Sequence, residues 1–134
     1  MNQIKYQKGY KYRLYENYKC KLGIYPKEKI VCQFGSLDEN GNCEIYAGFM
    51  WDGCSGPTID SKKNMRAGLV HDFLCYLMRQ RLLDRSWHPN ADKVFFIILK
   101  EDNFYASSPY YWAVSSFGGF ASDPKNKREV LTAP

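Results

Sequence analysis

The sequence predicts an α+β fold, an N-terminal antiparallel sheet followed by two or three packed helices that carry a His-Asp pair. Three observations lead there. The first half alternates apolar or aromatic residues with charged ones, the two-residue period of a half-buried strand. It also holds Asn40-Gly41, a strong hairpin signal. The second half changes to the longer apolar periodicity of helices packed on more than one side. An aromatic share of 16%, with eleven Tyr among 134 residues, adds to the case for strands. That length suits a single domain.

The elements follow in order. Residues 1–50 form the strand-rich part. K-Y-R-L-Y-E-N-Y-K-C-K-L, residues 11–22, reads as one half-buried strand. I-V-C-Q-F (30–34) and C-E-I-Y-A-G-F-M (43–50) flank S-L-D-E-N-G-N and read as a hairpin. Residues 51–61 are a tight Asp-Gly loop, irregular because Gly53, Gly56 and Pro57 crowd into it. The helical part, 62–119, opens with a helix over about 62–82, capped by Asp60 or Ser61. Leu69, Phe73, Tyr76 and Leu77 line one face of it, while Val70, Leu74, Cys75 and Met78 carry the apolar surface around. After the connector R-L-L-D-R-S-W-H-P-N, a second helix runs from Pro89-Asn90 to about Lys100. Ser107 or Ser108 and Pro109 open a third, which stops at Gly118-Gly119. Residues 120–134 read as a polar, extended tail.

The net charge of +5 attracts phosphate-bearing partners mildly. Basic residues are interspersed with acidic ones, so a dedicated nucleic-acid groove is not expected. The N-terminal residues lack the apolar core of a signal peptide, and no stretch reaches membrane-spanning length. Five cysteines without C-x-x-C pairs fit neither a zinc knuckle nor a complete disulfide framework. Reduced thiols are the expectation, with a Cys43–Cys54 bridge reserved for a protein that leaves the cell.

Four residues stand out. His71 and Asp72 are adjacent on an apolar helix, and burying either without a partner is costly. Their side chains diverge by about 100°, so they point to two neighbouring sub-sites rather than to each other. Asp92 lies on the stripe of the next helix shared with Phe95, Phe96 and Leu99, and Asp52 precedes Gly53 in the loop. A structural role exists for each. His71 would bond a backbone carbonyl, Asp92 would sit as the second helical residue after an Asn90 cap, and Asp52 would bond its own turn. Together they supply a base, an orienting carboxylate and oxygen ligands for a hard cation. The decisive expectation is spatial: the His71 ring and the Asp92 carboxyl must lie within hydrogen-bond reach.

Asp52-Gly53-Cys54-Ser55, then His71-Asp72-Phe73, then Tyr76, then Asp92 with Phe95 and Phe96 resembles the signature of the small bacterial and fungal phospholipases of the A-two type. Asp92 stands 21 residues after His71, and Gly53 stands 18 before it. The resemblance implies that His71 is the general base on a water and that Asp92 orients it. It implies calcium held by Asp72, Asp52 and loop carbonyls from Gly53 onward. Trp51, Phe73 and Tyr76 would then line an acyl-chain slot, and the partner would be phospholipid or a membrane surface. Tyr76 stands one place later than that family's tyrosine, and Gly68 replaces its cysteine.

A second resemblance covers about residues 43–119. Gly48-Phe49-Met50-Trp51-Asp52-Gly53-Cys54-Ser55-Gly56-Pro57, the Leu69-Val70-His71-Asp72 helix, Ala91-Asp92 with Phe95, and an aromatic helix closing in Gly118-Gly119 are similar to a family of small phage and prophage proteins, domain of unknown function 1353. It implies a viral protein in the host cytoplasm or the virion, with other virion proteins as partners. Three other functions fit the same chain. One is a non-enzymatic virion or assembly component. Another is a cell-wall or amide hydrolase using a transition metal, disfavoured because His88 falls in the connector, far from the set. The third is a host-directed inhibitor.

Overall fold

The computed structural model describes residues 4–6, 12–52, 62–104, 106–112, 115, 123–124 and 131–133. Strands come first and helices second, as the patterning requires. β1 (Ile4–Tyr6) pairs antiparallel with β8 (Leu131–Ala133), so part of the C-terminal tail is a strand. β2 (Tyr12–Arg13) pairs with β7 (Met50–Trp51). The main sheet has four antiparallel strands in the order β3 (Tyr18–Lys21), β6 (Asn42–Ile45), β5 (Gly35–Leu37), β4 (Ile30–Cys32).

The expected single strand over 11–22 is therefore two, because the chain changes partners between them. Leu14 donates to Phe49 O at 2.8 Å and accepts from Gly48 N at 2.8 Å. Asn17 Oδ1 then accepts from Ala47 N at 2.8 Å, which holds the break open. The expected strand over 43–50 divides opposite that break, at Gly48, whose φ of 97° suits glycine. The hairpin at Asn40-Gly41 is present, but its first strand is β5 rather than 30–34. Ser36 and Leu37 are strand, and the loop is 38–41. Asp38 Oδ1 accepts from the backbone N–H of both Asn40 and Asn42 at 2.9 Å, and Gly41 takes φ 83°. An Asx-type turn of this kind satisfies donors that the ladder leaves over.

Helix α1 (Met65–Arg79) begins after Asn64, three residues later than the earliest expected start. The expected caps, Asp60 and Ser61, lie outside the described residues. A short 3-10 turn, Arg85–Trp87, is capped by Asp84, which accepts from Ser86 N at 2.8 Å. Helix α2 (His88–Glu101) follows at once. It starts at His88, not at Pro89-Asn90. Proline lacks the N–H that the first turn leaves unpaired anyway, so it sits inside the start. Residues 107–112 are helical, within the expected third helix.

Both long helices end alike. Leu82 N bonds Leu77 O at 2.9 Å and Arg81 N bonds Met78 O at 3.0 Å; Phe104 N bonds Leu99 O at 2.9 Å and Asn103 N bonds Lys100 O at 3.1 Å. This is the Schellman closure, with Arg81 (φ 61°) and Asn103 (φ 57°) in the left-handed position glycine usually fills.

Helix α1 is the centre of the molecule, with ten of its fifteen residues buried. One face lies on the sheet. Phe73 meets Phe49 edge-on at 5.6 Å, and Tyr76 meets Phe34 at 5.8 Å. A Cβ at Gly35 would come within 2.6 Å of the Phe73 ring and would strike Glu44 O, so the close approach of helix and sheet requires glycine there. Another face lies on α2. Arg66, in the first turn of α1, pairs with Asp102 Oδ2 through Nε and Oδ1 through Nη2, both at 3.0 Å. It also reaches Glu101, the last residue of α2, at 2.9 Å. The two helices are thus antiparallel, and their middles face each other.

Candidate functional site

Where the helix middles meet, His71 Nε2–H donates to Asp92 Oδ1 at 2.7 Å. His71 is 2% exposed and Asp92 4%. The spatial expectation from the sequence is met. Asp92 is the fifth residue of α2, one turn deeper than an Asn90 cap would place it. It points across the helix interface rather than at its own N–H groups.

Two groups join this pair that the sequence reading left out. His88 Nδ1 lies 3.5 Å from Asp92 Oδ2, one helical turn away, because α2 starts early enough to include it. Its Nε2 is buried with no hydrogen-bond partner among the described residues. Cys75, one turn along α1, puts its sulfur 3.7 Å from His71 Nδ1. The signals were His-x-x-x-Asp at 88–92 and His-x-x-x-Cys at 71–75, spacings at which helical side chains are neighbours. In the sequence His88 falls in the connector and Cys75 on the apolar surface of its helix, which hides both signals.

Burial disfavours a charged His71, but the Cys75 sulfur and the Asp92 carboxylate together outweigh it and raise the imidazole pKa to about 10. The proton is therefore retained at neutral pH. The arrangement can orient an imidazole and hold its charge. Once that proton is lost, Nδ1 can receive one from Cys75 or from a water standing in its place.

The Asp72 side chain points elsewhere, as adjacency on a helix demands. Its carboxylate accepts a hydrogen bond from the backbone N–H of Asp52. Burial first, and the Asp52 charge in a smaller measure, push Asp72 up to about 7, against the opposing pull of His71 and Arg79. The loop Asp and the helix Asp are thus neighbours, a like-charged pair that a cation would relieve. Gly53 and the rest of the loop to 61 lie outside the described residues. Among the described residues no three His, Cys, Asp or Glu side chains converge as a metal cluster.

The three aromatic residues expected to line a slot have core positions. Phe73 is fully buried on the sheet side of α1, about 200° around the helix from His71. Tyr76 is half-buried against Phe34 and Phe49. Trp51 is buried beside Tyr12 at 5.6 Å, with no partner for its indole N–H among the described residues. Cys20, Cys32, Cys43 and Cys75 are free thiols, and Cys54 lies outside the described residues. No helix among the described residues is long and apolar enough to cross a membrane.

Comparison with protein-family models, with curated proteins and with solved structures found no match.

Proposed function

We propose that the chain is a phage-type ester hydrolase of the phospholipase kind, in which His71 is the base and Asp92 orients it. The observation that carries this reading is the buried 2.7 Å contact between them, with Asp72 and Asp52 paired alongside. Asp92 fixes the ring at Nε2, and in the deprotonated form of His71 the free Nδ1 takes the proton of an attacking water, Asp92 stabilising the imidazolium that results. The water oxygen bonds to the ester carbonyl carbon, the ester C–O bond breaks, and the proton returns to the departing alcohol.

Asp72 and Asp52 fit calcium by chemistry, since it prefers hard carboxylate oxygens. They supply only part of the ligand set, and the loop from Gly53 onward would add carbonyls. Bound there, the ion would polarise the ester carbonyl. Asp72 and His71 favour each other's charged form. A cation held on Asp72 would offset that charge, loosening the proton on His71 and bringing it closer to a working base, whereas Asp72→Asn loses the cation ligand as well as the charge.

Phospholipid vesicles incubated with the protein should release fatty acid with calcium and not with EDTA. His71→Ala and Asp72→Asn should abolish the release. Turnover indifferent to all three would end this reading.

A second reading has its own support. His71 is 2% exposed, and the Cys75 sulfur stands where the water must go. In a non-enzymatic virion or assembly component the same groups would be an ionic core. Protein present at stoichiometric copy number in particles, without hydrolysis, would favour it. Zinc found by metal analysis would point instead to a cell-wall amide hydrolase, now that His88 stands beside Asp92.

A further inference from the structure

The cysteines of the sheet are arranged independently of this site. Cys20 on β3 and Cys43 on β6 are register partners in adjacent antiparallel strands. The bond from Leu22 N to Gly41 O, two residues on, makes theirs a hydrogen-bonded pair by alternation. Such pairs have Cα atoms about 5.5 Å apart, inside the span a disulfide bridges. Both thiols are free and hydrogen-bonded to each other.

The two sulfurs differ. Cys43 is 3% exposed, and its thiol is pushed up by the bond to Cys20 and by burial. Cys20 is half-buried at a cleft also lined by Lys21, Arg66 and Glu101. Its thiol is lowered, first by the hydrogen bond from Cys43, then by the Arg66 charge and the Tyr18 hydroxyl, with burial opposing. The Arg66 guanidinium also bonds the Tyr18 oxygen at 3.1 Å, tying that hydroxyl into the same network. Thiolate character and access make a cysteine reactive, and a second cysteine beside it makes the product a disulfide. The other described thiols are engaged elsewhere, Cys32 with Gly35 O at 3.3 Å and Cys75 with His71.

We propose that Cys20 and Cys43 form a thiol–disulfide site oxidised by peroxides, Cys20 attacking and Cys43 resolving. The Cys20 thiolate bonds to one peroxide oxygen, the O–O bond breaks, and hydroxide leaves. The Cys43 sulfur then attacks the sulfenic sulfur. An S–S bond forms, and the sulfenic hydroxyl departs with the Cys43 proton as water. Two electrons pass from the cysteines to the peroxide, and β3 becomes covalently joined to β6.

The intact protein treated with hydrogen peroxide should lose about 2 Da, two hydrogens. A non-reducing peptide map should join the Cys20 peptide to the Cys43 peptide. Cys43→Ser should leave a dimedone-reactive sulfenic acid at Cys20, and Cys20→Ser should show no mass loss. A cross-link through Cys32, Cys54 or Cys75, or a wild-type mass and thiol count unchanged by peroxide, overturns the proposal. The wild-type map decides alone if a variant does not fold.

Discussion

His71 and His88 meet one carboxylate from two sides: His71 Nε2 stands 2.7 Å from Asp92 Oδ1, and His88 Nδ1 stands 3.5 Å from Oδ2. The Asp92 side chain is thereby held against rotation. A group that orients an imidazole is useful only if it is itself fixed, and here the fixing comes from its own helix.

Removing Asp92 strands a buried imidazolium. Asp92→Ala should lower unfolding free energy by about 3–5 kcal/mol. His88→Ala should cost less, because the longer contact is weaker. Urea denaturation of the two variants measures the difference. Equal losses would show that His71 draws nothing particular from Asp92.

Stability should fall as pH rises, in two stages. Asp72 has its folded pKa raised from 3.8 to about 7, so the fold binds more protons than the unfolded chain in that window and loses stability across it. His71 is raised from 6.5 to about 10. Its contribution is complete below 6.5 and gone once pH has climbed through 10. Asp72→Asn should remove the first stage and stabilise the protein at pH 8 by about 1–2 kcal/mol. That is less than the whole shift converts to, because solvent screens a half-buried group. Melts at pH 4, 6, 8 and 10 would reveal a flat wild-type profile if the reasoning fails.

The Cys75 sulfur contributes to the charge held on His71. Cys75→Ala should move the His71 titration midpoint downward, as read from the ring resonances by NMR. It also vacates the space beside Nδ1, so in a hydrolase turnover should rise rather than fall. An unmoved midpoint would mean that Asp92 alone sets it.

Arg81 occupies a left-handed position that costs an L-residue about 1–2 kcal/mol. Arg81→Gly should therefore stabilise the protein by about 1 kcal/mol after the extra flexibility of unfolded glycine is subtracted. Thermal melting tests it. Asn103→Gly should gain less, since asparagine tolerates that conformation.

The division into sheet and helices was legible because both periodicities are local properties of the chain. The His71–Asp92 contact was legible because apolar helices seldom bury two such groups without joining them. Strand partners were not. Nothing in K-Y-R-L-Y-E-N-Y-K-C-K-L announces that residues 12–13 and 18–21 pair with different strands, since that choice is made by Gly48 and Asn17 at the break. Helix ends were misplaced where a Schellman closure used Arg81 and Asn103 in place of glycine. His88 was lost for the same kind of reason: one extra residue at the start of α2 turns a connector histidine into a neighbour of Asp92.

The Tyr12–Trp51 contact gives a remote residue leverage over the acid pair. Asp52 follows Trp51 directly, and Trp51 is anchored by a two-residue ladder to Tyr12 and Arg13. Trimming the Tyr12 ring would slacken that mooring some forty positions upstream of Asp52. If Asp52 and Asp72 hold a cation as proposed, its affinity should accordingly respond to Tyr12, and screens confined to the neighbourhood of His71 would miss it.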